Sequence, residues 1–595
     1  MDPIREEAIN NERHVKVICV GAGASGLCLA YKLQRSFRSY SLTIYDKNPK
    51  VGGTWYENRY PGCACDVPSH NYVYSFQPKA DFSAVYAGSD EIQGYFEQFT
   101  QTYALERHLK LSHLVEKTTW QEDEGIWKVE TRDLATGATV HDWCNILVHA
   151  CGYLNKPAWP KLPGLEDFQG IKVHSADYDT SISLEGKKVL LIGAGSSAVQ
   201  ILPAIQPVVK EVTIFIRSPA WVLPDISTEA GDYTPEEIAK FMREPETVLE
   251  LRQNNERTMN SLFTLYLKQT KLQNQCRTLL TTEMKKILND KEAEEMLIPE
   301  FSVGCKRVIP SGFRYLKTLK QENVKPIYSG VRSFTSTGVI AEDGTVHNGD
   351  VAICATGFDT SYISRYPIYG PAGRNLQTEW ADSIMGYMGV GISEFPNTFT
   401  FLGPYTPVSN GPTLIAIEAQ ADYICAWIDR YQTEPSMHSM ALRREACDDF
   451  KSHVAKFMSG AVWTDSCRNS HNNHAIGGRV PTTWPGSTLH YLEAIREPRW
   501  DDWEVTYKGN RFSWLGNGTS QTEWDPTADL AYYIRQNDNN GAWSARWRRD
   551  AVTNRSGSQP LRELHRLPKL EVQAGCADVQ TEKVEPMVQS AAGSS

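Results

Sequence analysis

Two short glycine-rich stretches carry the most readable chemistry in this sequence. The first, Gly21-Ala22-Gly23-Ala24-Ser25-Gly26, follows the apolar run HVKVICV from His14 and precedes a helix-favouring stretch. Glycines between a strand and a helix let backbone N–H groups and the positive end of a helix dipole meet a pyrophosphate. Asp46 ends a second apolar run, SLTIYDK, where a carboxylate accepts hydrogen bonds from a ribose. The second stretch, Gly193-Ala194-Gly195-Ser196-Ser197-Ala198, follows KKVLLI, and the run that should carry its ribose reader, EVTIFIRSPAW, ends in Arg217 and Ser218. A guanidinium pairs bidentately with a 2′-phosphate, whereas a carboxylate would repel it. The loops therefore predict FAD at the first site, NADPH at the second, and a hydride passed from nicotinamide to flavin.

Where the electrons go next is the discriminating question. A disulfide reductase needs a redox cysteine pair beside its flavin, but Cys63 and Cys65 are one residue apart, a spacing that strains an intrachain disulfide. His471 and His474 in SHNNH lack further ligands for a metal, and none is expected.

These loops need elements to hold them. A chain of 595 residues is too long for one compact core, and 41% hydrophobic with 22% charged residues is ordinary globular composition. An α/β fold is predicted, with two Rossmann-like dinucleotide-binding domains and a helical insertion. The expected boundaries are a first part of the FAD-binding domain over 14–165 and an NADPH-binding domain over 180–325. The helical insertion is placed at about 234–299, and the completing part of the FAD-binding domain at 326–500. A Trp-, Asn- and Gly-rich C-terminal extension over 501–560 and a polar, disordered tail over 561–595 complete the chain.

The formal charge of −10 argues against a nucleic-acid surface. The thirteen cysteines are irregularly spaced, several inside apolar runs such as VKVICVGAG and VAICATG, which is reduced-compartment usage. The N-terminal MDPIREEAINNERH lacks a signal peptide's apolar core, and no apolar stretch is long enough to span a bilayer. A cytoplasmic enzyme of small molecules, with no obligate protein partner, is expected.

GGTWYENRYPGCACD (Gly52 to Asp66) resembles the flavin-side motif of Baeyer-Villiger monooxygenases, which are class B FAD and NADPH flavoproteins. FQGIKVHSADYD (Phe168 to Asp179) is similar to that family's interdomain signature, matching at Phe168, Gly170 and His174, with Tyr178 where tryptophan is usual. GCKR (Gly304 to Arg307) and CATGFD (Cys354 to Asp359) resemble its arginine-bearing and A-T-G-F-D segments. FPNTFTFLGPYTP, EAQADYI and WPGS continue the likeness, which runs from about His14 to Tyr491. The C-terminal extension is similar to that of fungal secondary-metabolite members.

The resemblance implies catalytic roles for Arg307 and Asp66, the acid fixing the arginine's rotamer and offsetting its charge. It implies FAD contacts from Gly21, Gly23, Ala24, Ser25, Gly26, Asp46, Lys47, Gly53, Thr54, Trp55, Tyr56, Asp66, Tyr72 and Val115. NADPH contacts are implied for Ala64, Cys65, Gly193, Gly195, Ser196, Ser197, Ala198, Gln200, Arg217, Ser218, Lys306 and Arg307. His174 would influence domain rotation rather than transfer protons. The implied reaction inserts one oxygen atom of O2 beside a ketone carbonyl through a C4a-peroxyflavin, on a polyketide or terpenoid intermediate. A permanently protonated guanidinium suits the peroxide anion that such attack requires. Two alternatives stay open on the sequence: N- or S-oxygenation, to which Tyr178 points, and a non-catalytic flavoprotein scaffold that binds a partner through its Trp-rich C-terminal region.

Overall fold

Strand β1 (Val15–Val20) is β-branched and buried along almost its whole length, the pattern of a strand covered on both faces. It turns through the first glycine loop into α1 (Ala24–Ser36) and crosses over to β2 (Tyr40–Tyr45), which pairs with it in parallel from Val15 opposite Tyr40. Next in the same sheet come β3 (Leu109–Lys110) and β4 (Ile146–His149), the latter pairing with β1 from Val17 opposite Ile146. The computed structural model describes residues 4–223, 231–310, 312–407, 410–472 and 480–534. The expected tail over 561–595, the extension from 535 onward and His474 lie outside them.

A second sheet opens with β5 (Ile171–His174) and β6 (Lys188–Ile192), followed by the second glycine loop, α2 (Ser196–Ile205) and β7 (Glu211–Phe215). Four helices then interrupt it: α3 (Pro235–Arg243), α4 (Pro245–Ser261), α5 (Lys271–Leu288) and α6 (Lys291–Leu297). Their starts are encoded locally. Thr234 and Glu237 form a reciprocal capping box at α3, while Thr270 and Asp290 cap α5 and α6 with their side chains. The second sheet resumes with β8 (Val324–Ile327) and β9 (Val351–Cys354). Its all-parallel order is β8-β7-β6-β9-β5.

Strands β5 and β9 lie outside the 180–325 stretch expected for this unit. They pair along Ile171–His174 and Val351–Cys354, so the linker signature and the CATGFD segment meet at one edge of the second sheet. The chain afterwards returns to the first sheet through β10 (Gly386–Tyr387), β11 (Gly391–Ile392) and β12 (Thr398–Thr400), then α7 (Thr413–Thr433), which packs on α1. The completed order is β10-β11-β12-β4-β1-β2-β3.

An antiparallel layer of His113–Gln121, Ile126–Asp133 and Thr139–Cys144 covers the first sheet. Val115 packs there with Ile18, Val20 and Tyr45. The Trp-rich extension also enters the fold. Trp503–Tyr507 pairs antiparallel with Met437–Leu442, and the buried Trp503 donates Nε1–H to the Tyr423 hydroxyl at 3.1 Å. Among the described residues no helix is long and apolar enough to cross a membrane.

Candidate active site

Each glycine loop has room for backbone only where backbone must pass. Gly21 has φ +117°, and a Cβ there would lie 2.4 Å from the Ala150 carbonyl oxygen. A Cβ on Gly26 would stand 2.0 Å from the Gly21 carbonyl oxygen, so α1 starts hard against the turn. Neither α1 nor α2 has a side-chain cap, which leaves the first-turn N–H groups to a ligand. At Gly195 an added Cβ meets nothing within 4 Å, so space lies over the start of α2. These features fit a pyrophosphate at both loops.

Asp46 is buried, and its carboxylate accepts the Ala22 N–H at 2.7 Å and the Asn48 N–H at 2.8 Å. Burial raises its pKa while the two N–H donors oppose the rise. A carboxylate has about four acceptor positions, so a ribose hydroxyl still has places to donate. Gly23 and Gly53 approach closely, a Cβ on Gly53 falling 3.1 Å from the Gly23 Cα. The flavin-side turn Thr54–Glu57 is thereby set against the first loop. In that turn Trp55 is 9% exposed and donates Nε1–H to the Tyr72 hydroxyl at 3.2 Å, with the rings edge-on at 5.3 Å. Lys47 is engaged by Glu57 at 2.8 Å. A cleft of about 1190 Å³ opens here, its lining including Lys47, Tyr56, Tyr60, Asn155, Pro157 and Tyr178.

The second loop is bolted to this motif. Gln200 of α2 donates Nε2–H to the Ala64 carbonyl at 3.0 Å and accepts the Tyr60 hydroxyl at 2.8 Å. A Cβ on Gly62 would come within 2.6 Å of the Gln200 carbonyl oxygen. Ala64 and Cys65 thus lie where the two nucleotide motifs touch, and burial raises the Cys65 thiol far above its ordinary range.

Arg307 and Asp66, 241 residues apart, form a bidentate pair. Arg307 donates Nη2–H to Asp66 Oδ1 at 2.7 Å, and its Nε–H meets Oδ2. The Asp66 charge keeps the guanidinium protonated. Its side chain nevertheless retains 43% exposure, so donors remain for a ligand. Beside it, Lys306 donates to Ser218 Oγ and to the Pro219 carbonyl, both at 2.8 Å. Burial and then the nearby Arg217 push the Lys306 pKa down to about 8. Two cations and a hydroxyl crowded together fit a phosphate that would relieve their repulsion.

Three residues near Arg307 are not assigned to the site by the sequence: Tyr153 and Tyr266 carry no signal, and His471 stands out only as a candidate metal ligand. Burial raises the Tyr153 and Tyr266 phenols, with Arg307 pulling the other way, and His471 is pushed down to about 3 by burial and then by Arg307. His471 is therefore neutral, its Nδ1 held by the Thr482 and Thr483 hydroxyls. Tyr153 stacks on Tyr362 at 5.7 Å and Tyr266 on Trp463 at 5.5 Å. Two aromatic pairs and a neutral imidazole thus lie near the cation.

The interdomain signature sits elsewhere, in the second sheet. His174 is fully buried at the end of β5, accepting the Ala176 N–H on Nδ1 at 3.1 Å. That leaves Nε2–H to donate to Thr356 Oγ1 at 3.2 Å, and the Thr356 hydroxyl donates in turn to the Ala158 carbonyl at 2.7 Å. Phe168 packs on Phe334, while a Cβ on Gly170 would strike the Asp350 carbonyl oxygen at 2.6 Å. Tyr178 is buried as well, its hydroxyl without a protein partner. Among the described residues no group of three His, Cys, Asp or Glu could hold a metal ion. One expectation needs qualification: the irregular cysteine spacing reads as reduced-compartment usage, yet Cys305 and Cys467 are joined in a disulfide. Residues 162 apart in sequence leave no local signature.

Two glycine loops, an acid at one, cations at the other and an arginine–aspartate pair between them define a flavoprotein that handles a second nucleotide. The chain belongs to the family described as Flavin-binding monooxygenase-like, which matches residues 14–370. It is 33% identical over 85% of its length to the FAD-binding monooxygenase moxY of Dothistroma septosporum, covering 82% of that protein. It is 30% identical over 82% of its length to a Baeyer-Villiger monooxygenase of Pseudomonas aeruginosa, covering 90% of that protein. Among solved structures, closed cyclohexanone monooxygenase superposes with a TM-score of 0.72 and 26% identity, covering 84% of this chain and all of that one. The expected fold class and the resemblance to Baeyer-Villiger monooxygenases therefore hold.

Proposed function

We propose that this enzyme converts a ketone into an ester or lactone, using FAD, NADPH and O2. The observation that carries the reading is the Arg307–Asp66 pair, a guanidinium fixed by a bidentate acid yet still open to a ligand. FAD, when bound, takes the hydride from NADPH and supplies the oxygen chemistry. Arg307 holds negative charge where oxygen attacks the carbonyl and then where the former carbonyl oxygen becomes an oxyanion. A guanidinium suits this because it does not surrender its proton at any working pH. Asp66 offsets part of its charge and holds its plane. Tyr153, Tyr266 and neutral His471 lie near the cation without adding a competing charge.

Asp46 receives the FAD ribose, Trp55 and Tyr72 border the flavin, and Arg217, Ser218 and Lys306 receive the NADPH 2′-phosphate. His174, through Thr356 and Ala158, ties β5 to β9 and to the linker, and so steadies the hinge over which the nucleotide half moves. The substrate is proposed to be a polyketide or terpenoid ketone of secondary metabolism. The enzyme is proposed to work in the cytoplasm, where its ten described free cysteines stay reduced and the Cys305–Cys467 bond, with both residues at most 2% exposed, is shielded from the reducing pool. The deciding experiment is Arg307→Ala on flavin-loaded enzyme. Ester formation should fall by about 10²–10³ while NADPH still bleaches the flavin. Unchanged ester formation would remove the arginine from the reaction, and oxygenation of amines or sulfides alone would favour the heteroatom chemistry.

A further inference from the structure

The backbone carrying Arg307 is gripped from two sides. From the helical insertion, Gln273 of α5 accepts the Val303 N–H at 2.8 Å and returns Nε2–H to the Val303 carbonyl at 2.9 Å. A second grip comes from the loop after Gly460. Its Asp465 accepts both the Ser302 N–H, at 2.9 Å, and the Ser302 hydroxyl, at 2.6 Å. Two residues on, Cys467 is bonded to Cys305, with Cα atoms 6.3 Å apart and both residues at most 2% exposed. Asn469 continues the line, donating to the Cys467 sulfur and to the Trp463 carbonyl, each at 3.2 Å.

Lys306 and Arg307, the two cations that face the 2′-phosphate site and Asp66, come directly after Cys305 in the chain. Gly304 comes directly before it, at φ +86° and with the Tyr266 ring 3.0 Å from where a Cβ would sit. Glycine is required there, and it leaves the backbone freer than any other residue would. The restraint that a side chain would normally supply must come from the neighbours, and the disulfide is the covalent one among them. Arg307 lies two residues away, about 7 Å of chain at most.

We propose that the Cys305–Cys467 disulfide is a positioning device for the catalytic arginine, and that its loss uncouples NADPH oxidation from oxygen insertion. The proposal rests on the role assigned to Arg307. Opening the bond lets Lys306–Arg307 swing about Gly304, and a displacement of about 1 Å at a reacting group costs about 100-fold in rate. Displacing Lys306 weakens the hold on the NADPH 2′-phosphate, but at saturating NADPH flavin reduction, which depends on the nucleotide loops, is spared. A dithiol that gains access to the bond opens it by exchange. Two electrons pass from the dithiol to the S–S bond, each cysteine sulfur takes a proton, and the dithiol closes into its own disulfide.

The test starts by titrating thiols on the denatured, unreduced protein, where eleven of the thirteen cysteines should react. Thirteen reactive thiols would overturn the proposal. Flavin-loaded Cys467→Ser is then compared with wild type for ester formed and hydrogen peroxide released per NADPH. The expected result is an ester yield lower by tenfold or more, peroxide rising to match, and an unchanged rate of flavin bleaching at saturating NADPH. A merely structural disulfide would lower Tm and leave that ratio alone, which also overturns the proposal. Should the variant fail to load flavin, wild type opened with dithiothreitol, and verified at thirteen thiols, gives the same readout. Arg307→Ala runs beside it. If it keeps ester formation, the arginine reading itself fails; if it abolishes ester while Cys467→Ser stays coupled, only the tether is wrong.

Discussion

NADPH should bind more weakly as pH climbs through 8, and NADH should not. Lys306 is the cause: burial and the charge of Arg217 hold its pKa at about 8 in the enzyme without nucleotide. Below that pH the ammonium is charged and attracts the 2′-phosphate; above it the free enzyme loses the charge, and each binding event must first take up a proton. If the bound form keeps the proton, the dissociation constant rises by about tenfold between pH 7 and pH 9. The rise ends once the contact's full value is lost, which for a charge-assisted hydrogen bond is about 1.5–3 kcal/mol. Calorimetric titration of NADPH and NADH at half-unit steps from pH 6.5 to 9.5 reads this directly. Lys306→Gln should flatten the NADPH curve, and Arg217→Ala should move its inflection upward because a charge that depresses Lys306 is gone. A flat wild-type curve, or the same slope in Lys306→Gln, would refute the reasoning.

The geometry also sets the outcome of three other substitutions. Asp46→Ala removes the acceptor of two backbone N–H groups as well as the ribose partner, so the flavin-to-protein ratio after gel filtration should drop sharply. At about 1.5 kcal/mol or more for the lost charged contact, FAD affinity falls at least about tenfold. Gly170→Ala drives a methyl group against the Asp350 carbonyl, costing about 1–3 kcal/mol; thermal unfolding should show a lower Tm with coupling unchanged. His174→Ala leaves the Ala176 N–H and Thr356 Oγ1 without their partner, costing about 1–3 kcal/mol. Because burial already holds His174 neutral, its removal should lower stability but leave the pH profile of turnover in place.

The local parts of this enzyme were legible and the convergent ones were not. Each glycine loop announces itself because strand, turn and helix start are consecutive residues, and Asp46 comes at a distance set by one helix. The caps of the insertion are equally local, as at Thr234 and Glu237. Arg307 meeting Asp66 across 241 residues could not be derived from spacing; only the family resemblance brought those residues together. Tyr153 and Tyr266 carried no signal, since a tyrosine reads the same whether it lines a site or fills a core, and His471 stood out only for its neighbour His474, not for Arg307. The strands at 171–174 and 351–354 joined the second sheet rather than respecting the expected boundary. Four-residue apolar runs state that they are strands but not which sheet receives them.

The joint between Gly62 and α2 bears on recombination among related enzymes. A Cβ at Gly62 would lie 2.6 Å from the Gln200 carbonyl oxygen and 2.9 Å from the Ala204 Cβ, so the two surfaces fit with no slack. A chimera that takes its flavin half from one parent and its nicotinamide half from another must splice through this fit. Crossovers that keep residues 60–66 and 196–205 from the same parent preserve the joint. Crossovers that divide them ask two independently drifted surfaces to meet at van der Waals distance, and most such hybrids should lose communication between the nucleotides before they lose either one.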